Sequence, residues 1–167
     1  GAFLDYLDRV ESAPGFDRKR NKFFSLLYYM DPHDPYDPPA AYRKTYGSSS
    51  SRELYDGEIR YFDDQLRALF RKLKERNWLN NTLFILTSDH GEGFGESPDP
   101  NERFFRHVGP PMESVVKIPL ILWHPKSWSG VQEDRLSSQV DLAPTILDFL
   151  KLKVPPEMQG RSILPET

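Results

Sequence analysis

The run Thr87-Ser88-Asp89-His90-Gly91-Glu92 places a carboxylate beside an imidazole and follows the pair with glycine. Asp89 offers oxygen and His90 nitrogen, a donor pair suited to a divalent cation. Adjacent residues converge on one ion only if the chain turns between them, and Gly91 allows a sharp turn without a Cβ clash. A second candidate is His33, in Asp31-Pro32-His33-Asp34-Pro35-Tyr36-Asp37-Pro38-Pro39. Four prolines in nine residues restrict their own and their neighbours' dihedrals, which makes this segment a stiff, extended loop. Taken alone, Asp-His-Gly fits a solvated turn in which Asp89 caps the next segment equally well. His33 alone fits a loop histidine ordered by its prolines.

These residues need a scaffold to deliver them. Phe23-Phe24-Ser25-Leu26-Leu27-Tyr28-Tyr29 is a nearly continuous apolar run of strand length, the pattern of a buried strand in a parallel sheet. Thr82-Leu83-Phe84-Ile85-Leu86-Thr87 is a second such run and leads directly into Ser88-Asp89-His90. Both runs place their polar residues beyond a strand's carboxyl end, where open α/β sheets bind ligands. Between them, Tyr55, Ile59, Phe62, Leu66, Leu69 and Leu73 step by 4, 3, 4, 3 and 4, which predicts one buried helix face. Glu58, Arg60, Asp64, Arg67, Arg71, Lys72 and Lys74 fall on the opposite face. Phe3, Tyr6, Leu7 and Val10 predict a short amphipathic helix ending near Ser12-Ala13-Pro14-Gly15, and Gly47 to Ser51 reads as a surface loop. Val115 to Trp123 predicts a third strand with a start or bulge near Pro119. Asp141 reads as the N-cap of a helix that has Pro144 in its first turn and Ile146, Leu147 and Leu150 on a buried stripe. The expected architecture is α/β, a mostly parallel sheet flanked by helices, in a single domain over residues 1–167.

Composition narrows the function. With 167 residues, 38% of them hydrophobic and 13% aromatic, the chain can bury an aromatic-rich core. Its 22 basic and 25 acidic residues leave a net charge of −3, which gives no general attraction for nucleic acid or an anionic membrane. The absence of cysteine excludes thiolate metal ligands and leaves the redox compartment open, so an extracytoplasmic parent protein is compatible with it. No apolar run approaches the roughly 20 residues that span a bilayer.

The motifs in order carry a resemblance. Tyr29-Met30-Asp31-Pro32-His33-Asp34-Pro35-Tyr36 is followed by Thr87 to Glu92 and Gly95-Glu96, then by His107-Val108-Gly109, Glu113 and Ile118-Pro119-Leu120-Ile121, and last by Asp141-Leu142-Ala143-Pro144-Thr145. Over about Phe23 to Leu164 this resembles the sulfatases of the alkaline phosphatase superfamily, in the carboxyl-terminal portion of their catalytic domain. The resemblance implies an alkaline phosphatase-like α/β fold, present in part, and metal-dependent hydrolysis of sulfate esters in the parent protein. It implies that Asp89 and His90 are metal ligands and that His33 and His107 contact the sulfate or leaving-group oxygen. The cation would be Ca²⁺ if the remaining ligands are oxygens, with Mn²⁺ or Zn²⁺ as alternatives.

The sequence also departs from that family. A C/S-x-P-x-R segment, the source of the formylglycine nucleophile, is missing, because Ser12-Ala13-Pro14-Gly15-Phe16 has Phe where Arg is needed. The adjacent acidic pair that completes the metal site is missing too, since Asp63-Asp64 lies in the predicted helix with side chains about 100° apart. The amino-terminal, nucleophile-bearing part is therefore expected outside these residues, and the 167-residue chain alone is expected to be inactive. A phosphodiesterase, phosphonate hydrolase or phosphoethanolamine transferase acting on a phosphate ester is the alternative within the superfamily. A non-catalytic binding or assembly module is the alternative outside it. Glu92, Glu96 and Glu113 read as solvated, Arg103 and Arg106 as surface charges, and Phe104, Phe105 and Trp123 as core.

Overall fold

A computed structural model describes residues 2–97, 103–107, 109–128, 130 and 132–164. Val108, part of the His107-Val108-Gly109 motif, lies outside the described residues. The chain divides into two compact units, Gly1–Ser127 and Trp128–Thr167.

In the first unit, helix α1 (Ala2–Glu11) buries Leu7, and α2 (Ala40–Tyr46) ends at Gly47, whose φ of 101° favours glycine. Helix α3 (Ser51–Glu75) begins with a capping box: the Ser50 side chain accepts from Glu53 N–H while the Glu53 carboxylate accepts from the Ser49 and Ser50 N–H groups. The stretch from Gly47 to Ser51 is thus an ordered connection between two helices. At the other end of α3, Asn77 turns left-handed at φ 56°. Trp78 N–H reaches Leu73 O at 2.9 Å and Asn77 N–H reaches Lys74 O at 3.0 Å, a Schellman stop.

That stop drops Trp78 into the core beside Leu7, Leu69, Leu73 and Leu79, surrounded by Phe3, Leu4, Phe16, Leu27, Leu66, Phe70, Phe84 and Trp123. The expected aromatic content is present: Phe70 lies 4.4 Å from Phe84 and 5.6 Å from Trp123, centroid to centroid, and the Arg18 guanidinium sits 4.3 Å above Trp78.

The buried face of α3 agrees with the predicted stripe only in its second half. Leu69 and Leu73 are buried, but Ile59 is 41% exposed and Gly57 and Glu58 are buried instead. The cause is the proline loop, which crosses the first half of the helix. Pro38 packs onto Gly57, where an added Cβ would come 3.0 Å from its ring, and Asp37 N–H donates to Glu58 Oε1 at 2.6 Å. Burial pushes the Glu58 carboxyl up to about 7, with further upward pushes from Asp31 and Asp37, while the Asp37 N–H bond and His33 pull it down.

The sheet differs from expectation. Strand β1 (Phe84–Thr87) pairs with β4 (Leu120–Trp123) in antiparallel register, Phe84 opposite Trp123 and Thr87 opposite Leu120. The short β2 (Gly93–Phe94) and β3 (Phe105–Arg106) also pair antiparallel. A mostly parallel sheet is not what the described residues form. The run from Phe23 to Tyr29 joins neither ladder: none of the described strands is hydrogen-bonded to it, and a strand needs such a neighbour for its backbone groups. It keeps a trace of the two-residue alternation of a strand: Phe23, Leu27 and Tyr29 make contact with Trp78, the core and Phe62, although Phe23 and Tyr29 are still 40% and 38% exposed, while Phe24, Leu26 and Tyr28 are 76%, 79% and 68% exposed. The predicted third strand divides at Pro119 into the short helix α4 (Glu113–Val116) and β4.

In the second unit, a 3₁₀ turn (Gln139–Asp141) precedes α5 (Leu142–Phe149). Asp141 is not the simple N-cap expected. It is buried, and its carboxylate ties together the N–H groups of Arg161 and Ser138, bonds that hold its pKa below the usual carboxylate range. Pro144 and Thr145 are buried, whereas Leu150, assigned to the buried stripe, is 56% exposed because the helix stops there and Lys151 turns left-handed.

Leu7 is completely buried, so Leu7→Ala should cost about 2–5 kcal/mol, read from the midpoint of urea unfolding. Glu58 provides a pH test. Its folded pKa of about 7 lies above its ordinary 4.5, so the folded state binds the extra proton. Its contribution to stability is complete below pH 4.5 and is lost as pH rises through about 7. Glu58→Gln should flatten the fall in stability across that window, measured by urea unfolding at a series of pH values.

Candidate functional site

Asp89 and His90 leave the end of β1, and the next turn is fixed by a backbone contact. Gly91 N–H donates to Val115 O at 2.7 Å, and a Cβ on Gly91 would collide with the Ser114 carbonyl oxygen. Glycine is required here for close approach of two backbones; its φ is not in the left-handed region. The Ser88 hydroxyl closes the turn by donating to His90 O at 2.5 Å, and Asp89 Oδ1 accepts from His90 N–H at 3.0 Å.

The side chains that result are suitably presented. The Asp89 carboxylate is 60% exposed. Partial burial would raise its pKa, but the His90 N–H bond, the adjacent imidazole and the Tyr28 hydroxyl at 3.4 Å outweigh that and leave it lowered. Asp89 is therefore ionised. His90 Nδ1 lies 2.8 Å from Gly91 O; a carbonyl only accepts, so Nδ1 carries a proton, and in the neutral ring Nε2 is the nitrogen that can ligate. That Nε2 lies 3.9 Å from Asp89 Oδ2, a separation that two donors each roughly 2.0–2.6 Å from one ion can have. A backbone carbonyl on the second ring nitrogen is the usual support of a ligating histidine.

The two other predicted residues are brought to the same place. His107 follows β3, and the pairing of Gly93 with Arg106 carries it back over the turn, its ring 4.1 Å from that of His90. His33 approaches from the proline loop, its ring 6.3 Å from His107. Its Nδ1 donates to Asp34 O at 2.6 Å, and Asp34 is paired with Arg106 at 3.1 Å, so the loop is tied to β3. Arg106, read from sequence as a surface charge, is thus a tie between the segments that carry the two histidines.

Glu92 is the residue the sequence did not disclose. Its side chain is only 6% exposed. Oε2 accepts from the Tyr36 hydroxyl at 2.8 Å, and Oε1 is buried without a hydrogen-bond partner, 3.9 Å from His107 Nδ1. Burial and the bond to Glu92 raise the pKa of Tyr36 well above the usual phenol range. Glu96 and Glu113 stay at the surface, pairing with Arg52 and Lys117. The Ser12 hydroxyl donates to Asp8 O at the end of α1, an ordinary helix-terminal contact.

Among the described residues no group of three His, Cys, Asp or Glu side chains is arranged to hold a metal ion. Asp89 and His90 offer two donors of the kind a coordination shell uses.

Comparison with known proteins shows the family. The sulfatase family profile matches residues 4–152, and the chain belongs to the sulfatase family. It is 26% identical to an arylsulfatase of Clostridium perfringens over 92% of this chain and 40% of that protein. It is 35% identical to an N-acetylglucosamine-6-O-sulfatase of Bacteroides thetaiotaomicron over 62% of this chain and 18% of that one. It is also 35% identical to the multifunctional alkaline phosphatase superfamily protein PehA of Trinickia caryophylli, over 68% and 21%. The chain spans 40% or less of the length of these relatives. The family implies an alkaline phosphatase-like α/β fold.

Gly91→Ala should force the Ser114 carbonyl aside and lower stability by about 1–3 kcal/mol, the cost of overpacking. Thermal unfolding of that variant beside wild type checks it; an unchanged midpoint would show that the two backbones are free to separate.

Proposed function

We propose that these residues form part of the active site of a sulfuric ester hydrolase, which cleaves a sulfate ester with a divalent cation held at Asp89 and His90. One observation carries the reading: Asp89, His90, His33 and His107, from three separate stretches of the chain, converge on one open surface. A solvated turn at Asp89 would not need two further histidines beside it.

When bound, the cation would polarise the sulfuryl oxygens and offset the negative charge that develops in the transition state. The Asp89 carboxylate and the unprotonated His90 Nε2 would hold it. Ca²⁺ is our first assignment, on the expectation that the remaining ligands are oxygens, and the His90 imidazole keeps Mn²⁺ or Zn²⁺ as alternatives. His107 and His33 would donate hydrogen bonds or a proton to the sulfuryl and leaving-group oxygens. In both, one face of the work is orientation: His33 Nδ1 is tied to Asp34 O, and Glu92 stands behind His107.

The nucleophile, for which the family resemblance implies formylglycine, and a further acidic pair would be supplied from outside these 167 residues. In this reading the chain is the carboxyl-terminal portion of a longer catalytic domain. The exposed row Phe24, Leu26 and Tyr28 supports it. An apolar row beside the site, with the Tyr28 hydroxyl directed at Asp89, is a surface that a neighbouring segment would cover.

In the full-length protein, Asp89→Ala and His33→Ala should each lower kcat/KM on an aryl sulfate by about 10²–10³, and Asp89→Ala should also weaken cation binding measured by calorimetry. The isolated 167-residue chain should show no turnover. Full activity of Asp89→Ala, or turnover by the isolated chain, would defeat the proposal.

A further inference from the structure

Helix α3 contributes nothing to the site as described, yet one of its side chains is built into the loop that presents His33. Besides the bond from the Tyr36 hydroxyl to Glu92 within the site, that loop is held at three places. Asp34 pairs with Arg106 at 3.1 Å. Arg43 pairs with Asp37 at 2.9 Å and donates from Nε to Pro38 O at 2.8 Å. Glu58 accepts the Asp37 N–H at 2.6 Å. The first two ties rest on half-exposed side chains, where solvent screens an ion pair to little net value. Glu58 differs: only 5% of it is exposed, and its second oxygen is buried without a hydrogen-bond partner. Loss of a buried hydrogen bond costs the full desolvation of the group left behind. Glu58 also lines, with Met30, Asp31, His33, Asp34 and Pro35, one open depression of about 370 Å³.

We propose that Glu58 is the positioning residue for His33, fixing from the helix the height and angle at which the proline loop offers that imidazole to the substrate. The proposal rests on the reading of His33 as a substrate-contacting group. Its physical logic is rigidity. The prolines restrict the loop's own dihedrals, so a buried anchor at Asp37 is transmitted along the segment to His33, where a flexible loop would absorb it. The carboxyl's raised pKa fits this role, because a group that takes up a proton near neutral pH can stay buried beside Asp31 and Asp37 without their charges expelling it.

The test uses the full-length protein with an aryl sulfate, and compares wild type, Glu58→Met, Glu58→Gln, His33→Ala and the Glu58→Met/His33→Ala double variant. Methionine keeps length and burial and removes the acceptor; glutamine keeps an acceptor for the Asp37 N–H. Glu58→Met should lower kcat by about 10–100-fold with KM little changed. Glu58→Gln should restore most of it, and the double variant should be no slower than His33→Ala. Undiminished kcat in Glu58→Met, no rescue by glutamine, or additive losses in the double variant would overturn the proposal. A readout independent of turnover is the His33 ring resonance in proton–carbon NMR spectra, identified by its loss in His33→Ala. It should shift or broaden in Glu58→Met and keep its place in Glu58→Gln; an unmoved resonance in Glu58→Met overturns the proposal. Absence of sulfate ester turnover in wild type would sink the sulfatase reading, and the resonance would still decide the role of Glu58.

Discussion

The contact on which the site depends is the closeness of two backbones, Gly91 against Ser114 and Val115. One hydrogen bond, from Gly91 N–H to Val115 O, and the lack of room for a Cβ pin the turn after β1 to the segment that leads into β4. The β1–β4 ladder ends just before this point, with Thr87 opposite Leu120. The contact therefore extends the constraint of the sheet beyond its last rung, into residues that have no regular structure. Asp89 is thereby held out toward solvent while His90 turns its ring toward His107.

The remainder of the site follows from ties between loops. Three imidazoles in a row bring potential positive charge into a small volume, and the structure surrounds them with carboxylates: Asp89 beside His90, and Glu92 behind His107. Glu92 is itself held by Tyr36, which belongs to the same loop as His33. The Arg106–Asp34 pair crosses between β3 and that loop. Loops are ordinarily the mobile parts of a fold; here each loop that carries a histidine is tied to another, which holds the three rings together.

The chemistry-bearing residues were legible because they obey local rules. Asp89 and His90 follow an apolar run that forms strand β1, and His33 stands among prolines that stiffen its loop. Residues 31–35 nevertheless form turns where an extended segment was expected, with His33 N–H donating to Met30 O at 3.0 Å. The capping box at Ser50 and Glu53 was also written in the sequence, as Ser-x-x-Glu ahead of an apolar-periodic run. Other features had no such signal. Glu58 and Glu92 carry the same side chain as the solvated Glu96 and Glu113, and no spacing separates them. Their burial is decided by Pro38 and Tyr36, which reach them from far along the chain. The parallel sheet was inferred from apolar runs, which record that a strand is buried and say nothing of the direction of its neighbour.

What the sequence determined by itself is the inventory: an Asp-His pair at a strand end, a stiff loop with a histidine, a long amphipathic helix, and an order of motifs matching the sulfatase family. Only the tertiary structure decided that His33, His107 and His90 stand side by side, that the ladders run antiparallel, and that two glutamates are buried among them. The reason is physical. Periodicity and turn chemistry act over a few residues and can be read one segment at a time. Burial of a polar group depends on which distant backbone covers it, and that is settled only when the segments pack.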